Sequence, residues 1–506
     1  AGTYELVDRP TDVKKDVLPL MWVFTYKTDA DGYLLKTKAR ICVRGDLQML
    51  STEEKRAATL AAKTARLMLA LTAAFNLDTR QMDAINAFLN SLLTEEVYTT
   101  LPDGFKCGNK VWKLVKALYG LRKSPRLWHQ EATRVLKVLG LTSVPEDPCL
   151  FTGKGVLVFF YVDDIIVVSL PSAAKEAARV CDEISRAWKV RDLGEVNWFL
   201  GIRILRDREA KKLWLCQDAY LDQMAAKFHL NERHRKVTTP LPNTEDIKPF
   251  QGIASQAQVK EMQQKTGSAQ YPANQTRPDV AIHMAKLAQH LTNPGERHLD
   301  AVDRVMVYMH QTKHLAIEYG SRSEAEKLKL MDGDLANRSL VESVVIASDA
   351  SFGDNADRKS SYGYICKIYG GAVDWKAAKQ STVSTSTTEA EFLAMTEAAK
   401  TLLFWRRLLG AIGFEPSHPI PLHCDNHQTI RLLLHEPEKF STKLRHVDIA
   451  RHWLRERVQN GDIDVKWVPT AVMPADGLTK VLPKQEFDKS VEKLGLRDIS
   501  RLLKID

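Results

Sequence analysis

At 506 residues the chain is too long for a single hydrophobic core, and its length points to roughly three domains. With 44% apolar and 27% charged residues, no excess of Gly or Pro, no low-complexity tract and no internal repeat, it is globular rather than disordered or fibrous. The net charge of +9 favours an anionic partner such as nucleic acid, although a solvated Lys-rich surface gives the same sum.

The seven cysteines, Cys42, Cys107, Cys149, Cys181, Cys216, Cys366 and Cys424, lie far apart and contain no C-x-x-C pair. That pattern argues against a disulfide framework or a zinc site and for a reducing, cytoplasmic setting. The first residues, "AGTYELVDRP", lack the basic and apolar regions of a signal peptide. No uncharged apolar stretch reaches the roughly 18 residues that cross a membrane. The absence of an initiating Met marks the chain as an expected piece of something longer.

In chain order, residues 22–48 read as two strands joined by a turn at 29–32, with Lys36, Lys38, Arg40 and Arg44 crowding the second strand. Helical spacing follows in "EEKRAATLAAKTARLMLALTAAFN", then a strand and helix start in "LDTRQMDAINAFL". The apolar run 155–170 reads as a hairpin, 172–188 as a helix, and "DLGEVNWFLGIRILRDREAKKLWLCQ" as two strands around a charged turn. Residues 231–275 are polar and proline-punctuated, the expected linker. Two amphipathic helices flank the break at 293–296, and the charged segment 321–338 makes a second boundary. From 341 onward strands alternate with helices, the pattern of a small α/β domain.

The run "GVLVFFYVDDIIVVSL", residues 155–170, would be an ordinary buried strand pair but for Asp163 and Asp164 at its middle. Buried ionised carboxylates cost several kcal/mol unless compensated, and adjacent ones also repel. No Lys or Arg lies between Gly155 and Pro171. Either the pair forms an exposed turn, where Asp is favoured, or a divalent cation with a taste for hard oxygen ligands compensates it. The long apolar flanks favour the cation. A third carboxylate, Asp83, ends "TRQMD" in a similar setting, and two such sites can hold a metal pair for phosphoryl transfer.

These residues carry a family resemblance. "FFYVDDIIVVS" is similar to the Y-x-D-D hairpin of reverse transcriptases, and "QMDAINAFLNSLLTEEVYTTLPDGF" resembles the segment holding the first palm aspartate in copia-type LTR retrotransposons. The likeness continues in order through "WVFTYKTDADGYLLKTKARICVRG", "LVKALYGLRKSPRLW", "DLGEVNWFLGIRI" and "TRPDVAIHMAKLAQHLTNPGERH". It implies a fold of class α+β, a right-hand polymerase of fingers, palm and thumb followed by an α/β ribonuclease H-like domain. The expected division is 1–217 fingers and palm, 218–340 thumb or connector, 341–480 ribonuclease H and 481–506 a C-terminal tail.

Carried over by motif, Asp83, Asp163 and Asp164 would ligate two Mg²⁺ ions, with Mn²⁺ able to substitute. Lys38 and Arg40 would neutralise the incoming triphosphate, unless they are only a solvated strand face. Phe88 falls where the family has an aromatic steric gate against a 2′-hydroxyl, the group that separates ribose from deoxyribose. Tyr119 and Gly120 match the segment lining nucleotide and template. "WFLG", residues 198–201, sits where a primer grip is expected, and reads equally as a plain hairpin core.

The later α/β segment has its own acids. Asp349 ends a strand, Asp425 ends "PLHCD", Asp476 opens "PADGLTK", and Glu389 and Glu391 lie at a helix start, where the helix dipole also favours Glu. The arrangement resembles the ribonuclease H domain of the same retrotransposons, whose four acids bind two metals. The family's Glu-x-x-Ala pattern selects Glu391, in "EFLA", over Glu389. Trp467, Val468 and Pro469 run almost directly to Asp476 without the histidine loop other ribonucleases H often carry, and His446 and His452 read as structural.

The implied activity is RNA-directed DNA synthesis with hydrolysis of the RNA strand of RNA–DNA hybrids, inside a virus-like particle. The implied partners are an RNA template, a DNA or tRNA primer, dNTPs, the hybrid, and integrase from the same polyprotein; a membrane is not among them. Two alternatives stay open: a nucleic-acid-binding protein that kept the fold and lost the chemistry, and an intron-type or telomerase-type polymerase. All seven acids are present, against the former, and the second acidic cluster is unexplained by the latter.

Overall fold

The computed structural model describes residues 2–11, 17–28, 34–48, 57–105, 107–231, 236–243, 247–320, 344–414, 419–434 and 445–504. The turn expected at 29–32 and the boundary at 321–338 lie outside these residues. The chain packs as two compact units, Ala1–Ala61 with Asp78–Glu195, and Ala62–Leu77 with Val196–Asp506.

The first unit begins with β1 (Tyr4–Asp8), β2 (Val17–Leu18), β3 (Leu20–Thr28) and β4 (Leu34–Val43). β3 and β4 form a two-stranded ribbon in which Thr25 faces Lys38 and Val23 faces Arg40, so strand alternation puts the cations on one face. Helix α1 (Ala62–Ala74) is buried almost all round and belongs to the second unit. The chain then returns with β5 (Asp78–Ala84), β6 (Leu92–Thr99), β7 (Lys110–Lys116), α2 (Ser124–Val138), β8 (Thr142–Val144), β9 (Asp147–Gly153), β10 (Val156–Tyr161), β11 (Asp164–Ser169), α3 (Ala174–Ala187) and β12 (Val190–Gly194).

β1, β7, β6 and β2 make one sheet, and β12-β5-β11-β10-β9-β8 another. The run at 155–170 is the hairpin β10–β11 at the centre of the second sheet. Continuous apolar sequence is what a strand buried on both faces requires, and Ile165–Ser169 are all buried. The helix start expected after β5 is a single 3-10 turn, Ala87–Asn90, entered through Asn86 at φ +55°.

The second unit continues with β13 (Trp198–Phe199), β14 (Ile202–Asp207), β15 (Lys212–Cys216), α4 (Asp218–Lys227), α5 (Gln256–Gln275), α6 (Ala281–Leu287), α7 (Glu296–Gln311) and β16 (Leu315–Tyr319). The expected linker therefore contains a 20-residue helix. Ser255 and Gln258 cap it reciprocally, and Pro272 sits inside its last turns, where proline normally signals a break.

The α/β segment then gives β17 (Val344–Ser351), β18 (Ser361–Ile368), β19 (Gly371–Lys379), α8 (Thr387–Ala411), β20 (Pro421–Cys424), α9 (His427–Leu434), α10 (Arg445–Gln459) and β21 (Asp464–Trp467). Its sheet order is β19-β18-β17-β20-β21, with β20 parallel to both β17 and β21. α8 packs across β17 and β18. α1 lies against β15, β16 and β19, and the fully buried Arg66 donates to the carbonyls of Val373, Asn274 and Gln275 with its guanidinium 4.2 Å from the centre of the Trp375 ring.

The segment 481–506 is expected as a tail, but its described residues hold folded elements instead: α11 (Lys484–Lys493), β22 (Leu496–Asp498) and α12 (Ser500–Leu503). β22 pairs with β16 and closes the sheet β13-β14-β15-β16-β22. Phe487, Val491, Leu494, Leu496 and Ile499 are all buried. They are spread singly among charges, which is why no apolar run announces them. At about 1.5–3 kcal/mol each, their burial rivals the whole stability of a typical domain. Deleting residues 481–506 is therefore expected to abolish cooperative melting of the second unit in calorimetry.

Candidate active sites

The first site stands at the end of the central hairpin. Asp83 on β5 and Asp164 on β11 are direct cross-strand partners, and Asp163 occupies the two-residue turn before β11. The Ala84 amide donates to the Asp163 carbonyl at 2.7 Å, so the turn is pinned to the strand carrying Asp83. Burial, then Asp163 and Asp83, hold the Asp164 carboxyl above the usual range, against a 3.3 Å hydrogen bond from Gln81.

The turn itself is strained. Val162 is left-handed at φ +55°, a region that excludes β-branched residues elsewhere. The buried Trp128 of α2 donates its indole N–H to the Val162 carbonyl at 2.6 Å, and stacks edge-on against Trp188 with ring centres 4.9 Å apart. Trp128 closes the quoted segment "LVKALYGLRKSPRLW", but nothing in that segment points to its partner, 34 residues away.

Beside the aspartates are the residues expected to meet a nucleotide. The Phe88 and Tyr119 rings meet edge-on at 4.7 Å, and the Arg40 guanidinium lies 5.4 Å from the centre of the Tyr119 ring. Burial, then Asp163, raise the Tyr119 hydroxyl pKa, Arg40 opposing and Asp83 adding to the rise. Lys38, two residues before Arg40, shares its strand face. Gly120 makes this convergence possible: it sits at φ +93°, and a Cβ there would fall 2.0 Å from the Val43 carbonyl oxygen. The Val43 amide donates to the Tyr119 carbonyl at 2.8 Å.

The primer-grip candidate, residues 198–201, is the β13–β14 hairpin of the second unit. That unit also holds the second acidic cluster. Asp349 of β17 is 2% exposed and Glu391 of α8 is 6% exposed, so both are dry. Opposite Asp349 on β18 is Gly363, where a Cβ would lie 2.7 Å from the Cβ of Leu478. The missing side chain lets the 3-10 turn Asp476–Leu478 settle against the strand.

Thr479 donates its hydroxyl to Asp349, and the Lys480 ammonium bridges Asp476 and, at 3.7 Å, Asp349. Asp425 accepts from Thr470 Oγ1 at 2.7 Å, while the Trp467 indole, stacked on His427, holds the Asp425 carbonyl. Trp467 is named from sequence but without its contact with Asp425, and Thr470, Thr479 and Lys480 are not singled out there, although Thr479 and Lys480 lie within the quoted "PADGLTK".

Of the two glutamates, Glu389 accepts from the amide and hydroxyl of Thr385, and its own amide is capped by Ser386. Glu391 faces the acids. Burial, then Asp349 and Asp425, push its carboxyl up to about 9, and burial leads in raising Asp349 to about 6. Glu391 Oε2 is buried without a hydrogen-bond partner. Among the described residues, ligand atoms of Glu391, Cys424 and Asp425 lie within 4.8 Å of one another. Burial pushes the Cys424 thiol far up, so of these three groups the carboxylates are the ones that could serve a metal ion, and their hard oxygens fit Mg²⁺. His452 is exposed, the His446 side chain lies outside the described residues, and all seven cysteines are free.

Residues 1–243 match the family described as reverse transcriptase (RNA-dependent DNA polymerase). The chain is 31% identical to the retrovirus-related Pol polyprotein from transposon TNT 1-94 of Nicotiana tabacum, over 98% of this chain and 36% of that protein. It is 30% identical to the retrovirus-related Pol polyprotein from transposon RE1 of Arabidopsis thaliana, over 98% of this chain and 32% of that protein. The chain thus spans about a third of the length of these relatives. The solved foamy viral protease-reverse transcriptase dRH in complex with ds DNA overlays 92% of this chain and 67% of its own, at 12% identity and a TM-score of 0.48.

The raised acids predict a pH dependence. Ordinary values are 4.5 for Glu391 and 3.8 for Asp349, so between these and about 9 and about 6 the folded state holds protons that the unfolded state has released. Their stabilisation is complete below pH 4 and is lost as pH rises toward 9. In EDTA the melting temperature should fall from pH 5 to 9, E391Q should flatten that fall, and millimolar Mg²⁺ should oppose it in the unsubstituted protein.

Proposed function

With its residues 1–243 the chain belongs to the reverse transcriptase (RNA-dependent DNA polymerase) family, and from that premise we propose that it copies RNA into DNA and degrades the RNA strand of the resulting hybrid. The observation that carries this reading is the presence of two separate carboxylate clusters, Asp83 directly opposite Asp164 on paired strands and Glu391 beside Asp425, each containing an acid whose pKa is raised by burial and by its acidic neighbours. Residues 1–217 serve as fingers and palm, 218–340 as thumb or connector and 341–480 as ribonuclease H.

Asp83, Asp163 and Asp164 would hold two Mg²⁺ ions in the polymerase site, and Asp349, Glu391, Asp425 and Asp476 two in the nuclease site. Bound divalent cations supply Lewis-acid stabilisation of the attacking and leaving oxygens in phosphoryl transfer. The protein's own part is orientation. β5 and β11 aim Asp83 and Asp164 from directly opposed positions, and Trp128 fixes the turn that carries Asp163. Arg40, with Lys38 on the same face, neutralises the triphosphate of a dNTP. Phe88, backed by Tyr119, leaves a flat wall with no room for a 2′-hydroxyl.

In the nuclease site Lys480 offsets the charge of Asp349 and Asp476, and Thr470 and Thr479 hold two acids in fixed rotamers. The substrates are a primed RNA template, with a DNA or tRNA primer, and the RNA–DNA hybrid. The work proceeds inside a virus-like particle with integrase from the same polyprotein as a partner.

Asp163→Asn should abolish dNTP incorporation on a primed RNA template and leave hybrid cleavage intact, and Asp425→Asn should do the reverse. Loss of both activities from either change in a folded protein would falsify the two-site assignment. Phe88→Ala should raise ribonucleotide incorporation relative to deoxyribonucleotide by about tenfold or more, read from single-nucleotide extension.

A further inference from the structure

We infer that Tyr271 is a positioning residue for nucleic-acid binding at the β13–β14 hairpin, acting through the backbone of the hairpin's turn. The inference rests on the reading of residues 198–201 as an element that touches the primer. The turn consists of Leu200 and Gly201, both left-handed at φ +50° and +68°. A leucine there costs about 1 kcal/mol or more, so the turn persists only if its surroundings over-determine it. The restraint comes from α5, where the Tyr271 hydroxyl donates to the Leu200 carbonyl at 2.5 Å.

The next residue explains how α5 is set. Pro272 has no N–H, so the carbonyl of Ser268, four residues back, loses its helical donor. Tyr220 of α4 takes that place, donating its hydroxyl to Ser268 at 2.9 Å, and the Tyr220 and Tyr271 rings meet edge-on at 5.1 Å. At the end of α5, Thr276 donates to Gln217 at 2.8 Å beneath α4. Arg277 is then buried in an ion pair with Asp279 at 2.7 Å, which also accepts from the Tyr308 hydroxyl. The segment "YPANQTRPD" thus fastens one helix to the hairpin, to α4 and to α7.

What the fastened hairpin presents outward is a flat ring beside a cation. Trp198 is 38% exposed, the Arg203 guanidinium lies 5.1 Å from its ring centre, and Arg203 is itself held by Asp218 at 2.9 Å. A base stacks on such a ring while its phosphate meets the guanidinium. The strained turn sets the spacing of that pair, and Tyr271 sets the turn.

Y271F removes the hydroxyl and keeps the ring. Its primer–template dissociation constant, from fluorescence anisotropy, should rise roughly fivefold, with the dNTP KM and circular dichroism unchanged and the melting temperature lowered by about 4 °C at most. W198A should weaken binding as well, and Y271F/W198A should bind no worse than W198A alone, because both act through one contact. Y220F, which leaves the Tyr271 hydroxyl in place, should give a smaller loss in the same direction. Additive losses, or full affinity in Y271F while W198A is weakened, overturn the positioning role. Full affinity in W198A overturns the reading of the hairpin itself, and the inference with it.

Discussion

Like charges brought together among apolar strands repel one another, and each of the two acidic clusters is held against that repulsion by the strands around it. The hairpin β10–β11 is flanked by β9 and β5 and buried except at its half-buried turn end, so the packing that sets the register also sets Asp83 opposite Asp164. In the second cluster α8 delivers Glu391 over β17 without a hydrogen-bonding partner for one of its oxygens. The protein spends folding stability to keep these groups close, and in each cluster burial and the neighbouring acids raise a carboxyl pKa.

Close backbone approach is the second constraint. Gly120 and Gly363 stand where a methyl group would strike the backbone of Val43 in one case and the Cβ of Leu478 in the other. The former lets the basic ribbon β3–β4 reach Tyr119, and the latter lets the turn carrying Asp476 reach β17 and β18. Each site is therefore assembled from segments distant in sequence, joined where a side chain is missing.

The acids were legible because a carboxylate inside an apolar run contradicts its surroundings, and because ordered motifs flanked them. The central hairpin was legible as a continuous apolar run, and the α8 helix and the alternation of strands and helices in the later α/β segment from periodicity. Trp128, Thr470 and Lys480 were not, because their roles depend on partners brought near only by the fold. Pro272 misled for a physical reason: its usual helix-breaking effect is cancelled by the Tyr220 hydroxyl, which sequence does not reveal. The last 26 residues were read as a tail because their buried side chains are isolated among charges, although β22 completes a sheet with β16.

Helix α1 has a bearing on how the chain is made. Its residues leave the first unit and return to it at Asp78, yet its buried Arg66 finds its acceptors at Asn274, Gln275 and Val373. During vectorial synthesis those carbonyls emerge roughly 200 to 300 residues after the helix, which must wait with its apolar surface unsheltered. Nascent chains of this protein are thus obliged to keep an early helix in reserve, a natural client for chaperones until the later strands leave the ribosome.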